Sequence, residues 1–587
     1  MNKRLVILQS KQDCEEYKKN FFNPQDIVIP IGPDPIFFAN KNKMEACFLY
    51  ELISENENNL ERKKSDKKIN QLIKDLNKYS KQNYSGNLEI GNYFSFQLKI
   101  LIDQVLYNLM IVKSIKRKFP SNDLLIFLNK NPSNFRVIRP DPLGLLPEIL
   151  LNSKLFNREK IQAIKINQFY KPLSLKEFVV FKLSMKLIYL IRNIRDSLRL
   201  KRFDFFNSPK SKKLKLALIG GGYEWFDFIQ HEEANTRFSI DIVRLFIKKN
   251  QNLNKNSISA LVKIINENVY KDEIVPYSFD NFARYILSSL YQFEKKSEKF
   301  IKILKKYDAV VSSILCFPEE NFLAHIANKI NLPVILWQHG EKGQSYDDTT
   351  FFTEILYASH YFAYGEEVVR QYKHWIGKRN FKYPINVGSI QKDILWEGTN
   401  SKKIVYATGK WQLTATGFNE VIDLDSRQYE AQNKILQFLN TDKEWEVFFK
   451  ANNTEGLNMI PFAEEYENVV FDFKSPFTDL LKKAEIIILD TPATTLIESV
   501  STKVPIFVLG GRAKYFDDFI NDIKKRVIWC NSPEVLIRKL YEYMKSGFYE
   551  SNLEDKTYLR NYFSENEKIK TIQEVNNSLQ SIIKVDE

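Results

Sequence analysis

The sequence has few cysteines and no long apolar run. Its four cysteines, Cys14, Cys47, Cys316 and Cys530, are far apart, and no two have the spacing of a metal site or a disulfide framework. We therefore expect free thiols in a reducing compartment, which favours the cytoplasm. No stretch approaches the roughly 20 uninterrupted apolar residues that cross a bilayer. The apolar run at 5–8 is too short for a signal peptide and predicts a β-strand.

The sequence also lacks a nucleic-acid motif and a single long basic run. Its formal net charge is +14, from 86 Lys and Arg against 72 Asp and Glu. Such an excess suits nucleic acid, an anionic membrane surface or phosphate-bearing substrates. Because the lysines are dispersed, we expect no nucleic-acid partner. Cations alternate with apolar residues in 178–206, which predicts either a basic amphipathic helix on an anionic membrane or a helix packed between domains.

The length of 587 residues exceeds what one core supports, and the 44% hydrophobic content allows the whole chain to fold. We predict an N-terminal α/β accessory domain at 1–210, which carries the basic segment and a long helix at 94–119. A linker-like stretch precedes a second domain at 211–398, and a polar break precedes a third at 399–587.

Short apolar runs alternate with helical patterns along most of the chain. This spacing predicts parallel sheets, one in the N-terminal unit and two more in doubly wound α/β domains. The predicted strands lie at 5–8, 27–31, 124–128, 214–219, 308–312, 333–337, 361–365, 385–388, 403–410, 446–450, 469–473, 486–489 and 505–510.

The most informative segment is 486–498. Its apolar strand is broken by Asp-Thr-Pro, and Thr494 and Thr495 then open a helical pattern. A strand that enters a helix leaves unpaired N–H groups and a positive dipole end at the sheet edge, which suits a phosphate or pyrophosphate. Glu498 lies one helical turn further, where its carboxylate can reach sugar hydroxyls. The alternative is an ordinary strand followed by a Thr-capped helix.

Two neighbouring strand ends in the same domain offer further anion contacts. Gly409 and Lys410 follow the first strand, and Lys450 ends the second. Cations at adjacent strand ends would stabilise a departing diphosphate, although each lysine alone is also consistent with an ordinary surface position.

In the second domain, His339 follows a predicted strand and is one of only five histidines. An imidazole there can take a proton from a hydroxyl or donate one to a phosphate; a structural hydrogen bond is the alternative. Gly340 allows a sharp exit. Asp347 and Asp348 follow in a polar loop that either closes over a site or is simply solvated.

Three glycines, 220–222, follow the first strand of the second domain. Gly221 and Gly222 let backbone N–H groups approach a ligand closely, and Glu224 just beyond them is a candidate general base. A simple tight turn is the alternative.

The segments 337–340 (Trp-Gln-His-Gly), 386–389 (Asn-Val-Gly-Ser) and 490–498 resemble motifs of GT-B glycosyltransferases, among them bacterial surface-carbohydrate, capsule and glycerophosphate-polymer transferases. The resemblance covers about 214–547. It implies two Rossmann-like domains facing a cleft, with the N-terminal α/β domain added. A nucleotide sugar would bind the C-terminal domain and give its sugar to a glycan or lipid-linked acceptor.

The resemblance also implies site roles. The glycine loop with Glu224, together with Gln338 and Asp348, would face the acceptor, and Phe473 would seat the nucleotide base. One departure is visible: related transferases often carry Lys-x-His-Pro where this chain has Lys-Ala-Asn-Asn at 450–453, so only the lysine is kept.

The resemblance implies a cytoplasmic enzyme of surface polysaccharide or lipopolysaccharide synthesis, with the inner membrane face as an alternative location. Asp423 and Asp425 are interpreted as solvent-facing, so we expect metal-independent transfer without a cofactor. A polyol-phosphate transferase, a nucleotide-sugar 2-epimerase and a catalytically degenerate scaffold remain as alternatives.

Overall fold

A computed structural model gives the architecture as three parallel sheets in chain order, each flanked by helices. The structure describes residues 3–85, 87–129, 145–153, 155–166, 213–245, 247, 253–270, 277–340, 342–345, 349–390, 401–409, 424–450, 466–472, 475–510, 514–563 and 568–585. The basic segment 178–206 lies outside these residues. Among the helices that the structure describes, none combines the length and the apolar content that a bilayer crossing requires.

The N-terminal sheet has the strand order β3-β2-β1-β4-β5. β1 and β2 are buried at every position, as strands covered on both faces are. The strands are β1 Leu5–Leu8, β2 Ile27–Pro30, β3 Glu45–Ala46, β4 Leu124–Asn129 and β5 Ile161–Ile166. The helices are Lys11–Asn20, Pro33–Lys41, Leu49–Leu52, Glu55–Asn83, Ile90–Tyr93, Ser95–Lys118 and Leu145–Asn152, with a 3₁₀ turn at Arg158–Lys160.

The middle sheet has the order β11-β10-β9-β8-β6-β7. Its strands are β6 Leu214–Leu218, β7 Phe238–Ile242, β8 Ala309–Ser312, β9 Val334–Trp337, β10 His360–Ala363 and β11 Tyr383–Asn386. Its helices are Tyr223–Ile229, Glu232–Arg237, Lys255–Val269, Asp280–Leu304, Pro318–Lys329 and Glu366–Tyr372, with a π-helical turn at Phe351–Ile355 and a 3₁₀ turn at Lys373–Trp375.

The C-terminal sheet has the order β14-β13-β12-β15-β16-β17. Its strands are β12 Lys403–Ala407, β13 Glu446–Lys450, β14 Val469–Asp472, β15 Ile486–Leu489, β16 Ile506–Leu509 and β17 Ile528–Cys530. The remaining helices are Leu424–Thr441, Phe477–Leu481, Thr494–Val500, Asp517–Ile523, Pro533–Ser546, Thr557–Tyr562 and Lys568–Val585. The predicted α/β class, with two Rossmann-like sheets and an added N-terminal α/β layer, is therefore confirmed.

The N-terminal layer packs against both the middle layer and the C-terminal layer. Lys68 Nζ donates to the Val269 carbonyl at 2.6 Å, which joins the long helix Glu55–Asn83 to the middle domain. Ile36 lies in the hydrophobic core of the C-terminal sheet, and the Arg427 guanidinium lies over the Tyr50 ring at 5.6 Å. The three layers thus pack against one another.

The loop after β9 joins the middle and C-terminal layers. Ser345 forms an antiparallel bridge with Tyr515, and Phe516 N donates to the Gln344 carbonyl at 3.0 Å. The loop after β9 therefore meets the segment that follows β16.

Candidate active site

The turn that presents His339 is built by its neighbours in sequence. β9 is buried throughout, and Gly340 adopts a φ of 71°, which gives the predicted sharp exit. Gln338 is 0% exposed; its Oε1 accepts from Tyr364 N at 2.9 Å and its Nε2 donates to the Gly340 carbonyl at 3.0 Å. This placement differs from the predicted substrate contact, because both amide ends of Gln338 already hold the turn.

Glu224 and His339 form a carboxylate–imidazole pair. Glu224 Oε1 lies 3.1 Å from His339 Nδ1, and the carboxyl group is 3% exposed. It also accepts hydrogen bonds from Ser313 Oγ and, at 2.9 Å, from Tyr364 Oη. A carboxylate at Nδ1 holds the proton on that nitrogen, so Nε2 carries the lone pair that can accept a proton.

The imidazole, unlike the carboxylate, reaches the surface. The His339 side chain is 42% exposed, and the Tyr223 ring stacks on it at 4.7 Å with an angle of 14° between the planes. Glu224 is enclosed by its three partners, so it cannot itself meet an acceptor. Burial, and then the negative charge of Glu224, raises the pKa of Tyr364, which keeps this hydroxyl a neutral donor.

Sequence reasoning missed Tyr223, Ser313 and Tyr364. A signal was present: Ser313 directly follows β8, Tyr364 directly follows β10, and Tyr223 opens the helix after β6. Polar residues immediately after parallel strands share one sheet edge, so these positions belong with His339.

The glycine loop packs against the loop after β8. Ser313 N donates to the Gly221 carbonyl at 2.6 Å, and Gly221 N donates to the Ile314 carbonyl at 3.4 Å. A Cβ on Gly222 would lie 2.6 Å from Leu218 Cδ2. The backbone of Gly221 is thus engaged within the protein, and the loop aims Glu224 inward.

In the C-terminal domain, Asp490 ties two strand ends together. It is 1% exposed and accepts hydrogen bonds from Gly409 N at 2.7 Å, Gln432 Nε2 at 2.6 Å and Thr491 Oγ1 at 3.3 Å. The backbone N–H of Gly409 therefore donates to Asp490, and this bond fixes the shape of the loop after β12.

Of the predicted nucleotide-binding residues, Lys450, Thr494 and Thr495 lie at or just after the carboxyl ends of strands of this sheet. Lys450 ends β13 and is half-buried, and burial lowers its pKa. Thr494 and Thr495 open the seven-residue helix Thr494–Val500. Glu498 is half-buried, and burial raises its pKa. Lys410, Phe473 and Asp348 lie outside the described residues.

The two halves meet at Gly340. A Cβ built on Gly340 would lie 3.7 Å from Thr494 Oγ1, so the turn that carries His339 abuts the start of the helix after β15. Lys342 Nζ pairs with the fully buried Glu354 at 2.9 Å and anchors the loop that follows. The structure thus brings His339, Glu224 and Thr494 to one junction between two sheets.

Asp425 is not solvent-facing, contrary to the sequence prediction. It is 4% exposed in the first turn of the helix Leu424–Thr441, which is held against the loop after β12 by the hydrogen bond that Gln428 Nε2 donates to the Gly409 carbonyl at 3.2 Å. Within the described ranges, no group of three or more His, Cys, Asp or Glu residues is placed to hold a metal ion.

No family model and no curated protein sequence matches the chain. Similar solved structures include MurG of Acinetobacter baumannii, with 13% identity, a TM-score of 0.31, and coverage of 64% of this chain and 99% of that one. A glycosyltransferase from Rickettsia africae ESF-5 has 12% identity, a TM-score of 0.37 and coverage of 64% and 100%. The wall teichoic acid polymerase TagF has 12% identity, a TM-score of 0.34 and coverage of 68% and 99%. These values carry no inference about chemistry, which rests on the site itself.

Proposed function

We propose that the protein is a glycosyltransferase that moves a sugar from a nucleotide-sugar donor to an acceptor hydroxyl. The observation that carries the proposal is the junction at Gly340, where a buried carboxylate holds an exposed imidazole beside the strand ends of a second Rossmann-like sheet. Such a transfer needs a base for the acceptor hydroxyl and a sheet edge that can bind the donor phosphates.

His339 acts as the general base. Its Nε2 takes the proton of the acceptor hydroxyl as that oxygen bonds to the anomeric carbon, and the bond between this carbon and the donor phosphate breaks. Glu224 keeps the proton on Nδ1 and stabilises the imidazolium that forms. The nucleoside diphosphate leaves with the bonding electron pair.

The C-terminal edge holds the donor. Lys450, half-buried at the end of β13, offers positive charge to the leaving diphosphate. Glu498, a half-buried carboxyl one turn into the helix after β15, accepts hydrogen bonds from sugar hydroxyls. Asp490 fixes the Gly409 loop between them.

In this proposal the acceptor belongs to a bacterial surface polysaccharide or lipopolysaccharide. The reaction takes place on the cytoplasmic side. If the acceptor is lipid-linked, the enzyme works at the inner membrane face. The sequence resemblance supports this part. The basic segment 178–206 is the membrane contact that the proposal assigns.

The test has two steps. A thermal-shift screen against nucleoside monophosphates and diphosphates identifies the base, because ligands that bind the native state raise its melting temperature. The matching nucleotide sugars are then incubated with lipid-linked saccharide extracts, and the released nucleotide is identified by chromatography.

The proposal expects a nucleoside diphosphate that appears only when acceptor is added. Release of a nucleoside monophosphate from a donor that carries a nucleoside diphosphate would instead identify polyol-phosphate transfer, since that reaction cleaves the bond between the two phosphates. Conversion without acceptor would identify an epimerase. Binding without any turnover would identify a scaffold.

A further inference from the structure

After the C-terminal sheet is complete, the chain returns to the middle domain. The segment 557–563, here called the return segment, is anchored first on the C-terminal side. Asn561 Nδ2 donates to Asp522 Oδ2 at 2.6 Å, and the Phe519 ring packs edge-on against Tyr558 at 5.9 Å. The return segment is thus a fixed part of the C-terminal domain surface.

The same segment also docks on the middle domain. Gln344 Nε2 donates to Tyr558 Oη at 2.6 Å, and Ser389 N donates to the Phe563 carbonyl at 3.2 Å. A Cβ on Gly365 would collide with the Asn561 carbonyl, so the two backbones approach as closely as glycine allows.

This contact lies directly behind the carboxylate–imidazole pair. The Phe563 ring packs on the Tyr364 ring at 5.0 Å, and Tyr364 is fully buried. Tyr364 Oη donates to Glu224, and Glu224 holds His339 Nδ1. Three successive contacts therefore connect the return segment to the imidazole. They run from Phe563 to Tyr364, then to Glu224 and then to His339.

We propose that the return segment couples docking of the C-terminal domain to the orientation of His339, with Phe563 and Tyr364 as positioning residues. Phe563 fixes the plane of the Tyr364 ring, and the Tyr364 hydroxyl fixes one oxygen of Glu224. When the return segment undocks, the Tyr364 ring is released and Glu224 loses one of its donors. The carboxylate then no longer holds the proton on His339 Nδ1.

The inference rests on the proposed function only in taking His339 as the base. Among the residues that the structure describes, Glu224 and Tyr223 on one helix contact the imidazole, and Tyr364 after β10 donates to Glu224. Asp227 and Glu354 lie near the Tyr364 hydroxyl. Glu224 is the carboxylate in contact with the ring, so its placement decides which nitrogen is protonated.

Nitrogen NMR of the full-length protein with ¹⁵N-labelled histidine tests the coupling, because only five histidines contribute signals. The wild type should show His339 with Nδ1 protonated. Phe563→Ala and Tyr364→Phe should each move it towards the Nε2-protonated form and lower turnover by about tenfold to a hundredfold, the scale of a small misplacement of a catalytic group. Nucleotide affinity should stay the same in both variants.

A double-mutant cycle separates coupling from general destabilisation. In the Tyr364→Phe background, Phe563→Ala should cause no further loss, since its effect passes through the missing hydroxyl. Lys556→Ala is the control: it changes an exposed side chain directly before the return segment and leaves the docking contacts in place, so the His339 tautomer should stay as in the wild type.

An unchanged tautomer in both Phe563→Ala and Tyr364→Phe would overturn the proposal, and so would additive losses in the cycle. If the wild type transfers no sugar but the tautomer still shifts in the two variants, the coupling stands and the proposed function is refuted instead. The two failures are therefore distinguishable.

Discussion

At the scale of single residues, the pairing of Glu224 with His339 gives each group one role. The buried carboxylate contacts the ring, and the half-exposed ring is the group that we propose to contact the acceptor. This differs from the sequence interpretation, which offered Glu224 itself as a base, because a sequence does not show which of two polar residues is buried.

Glu224→Gln should weaken the hold on the His339 Nδ1 proton, since it replaces a charged acceptor by a neutral amide. Turnover should fall by about tenfold to a hundredfold, the scale of a small misplacement of a catalytic group. Nitrogen NMR of labelled histidine and steady-state kinetics check both effects. A wild-type tautomer together with unchanged turnover would remove Glu224 from the pair.

The buried ion pair of Lys342 with Glu354 should dominate the stability of the loop after His339. Lys342→Met leaves the Glu354 charge buried, with the Tyr361 and Tyr372 hydroxyls as its remaining donors among the described residues. We expect a loss of about 3–5 kcal/mol in the free energy of unfolding, the usual cost of breaking a buried pair. Chemical denaturation measures it; in the double variant with Glu354→Gln most of the loss should be recovered.

At the scale of elements, the apolar runs were sufficient to predict most strands, because parallel strands buried on both faces need continuous apolar sequence. The strand predicted at 446–450 is observed as β13 and that at 486–489 as β15. The long helix predicted at 94–119 is observed as Ser95–Lys118.

The missed strands are short or lie at sheet edges. β3 has two residues, β17 has three, and β5 is a largely exposed strand interrupted by Gln162 and Lys165. Their pairing is set by neighbouring strands rather than by their own composition. The charged stretch after Ser54 is a helix because Ser54 and Glu57 form a capping box.

The hydrogen-bond network of Asp490 belongs to this scale, since it joins the ends of β12 and β15. Asp490→Asn replaces one acceptor oxygen by an amide donor, which should cost about 1–3 kcal/mol of stability and weaken nucleotide binding through the Gly409 loop. Calorimetry against the nucleotide from the thermal-shift screen measures the affinity. Asp479→Asn, at an exposed position in the same domain, should bind nucleotide like the wild type.

The first turn of the helix Pro318–Lys329 should make stability depend on pH. Burial raises the pKa of Glu319 to about 7 and that of Glu320 to about 8, against 4.5 when unfolded. Between these pKa values the native groups hold protons that the unfolded chain has lost. Their contribution to stability is therefore full below about pH 4.5, decreases as the pH rises from there through 7 to 8, and levels off above that range. Melting temperatures from pH 5 to 9 should fall less steeply in Glu319→Gln, whereas Glu298→Gln should follow the wild type.

At the scale of the whole molecule, the sequence predicted three α/β layers and, through the resemblance, two facing domains, but not which residues meet. The turn at Gly340 and the helix start at Thr494 are 154 residues apart in sequence, and no local pattern encodes that they touch. Ser345 and Gln344 join the two layers through backbone bonds that any residue type can form. The return segment adds side-chain contacts that the sequence does not reveal.

The central claim is that His339 performs the proton transfer while the other domain binds the nucleotide. It is tested most directly by comparing turnover and nucleotide affinity in His339→Ala, with the exposed His374→Ala as control. We expect turnover to fall by roughly a hundredfold or more, a nucleotide dissociation constant that changes much less, and a control that behaves like the wild type. A His339→Ala variant that is folded and transfers sugar at a rate near the wild type's would contradict the account.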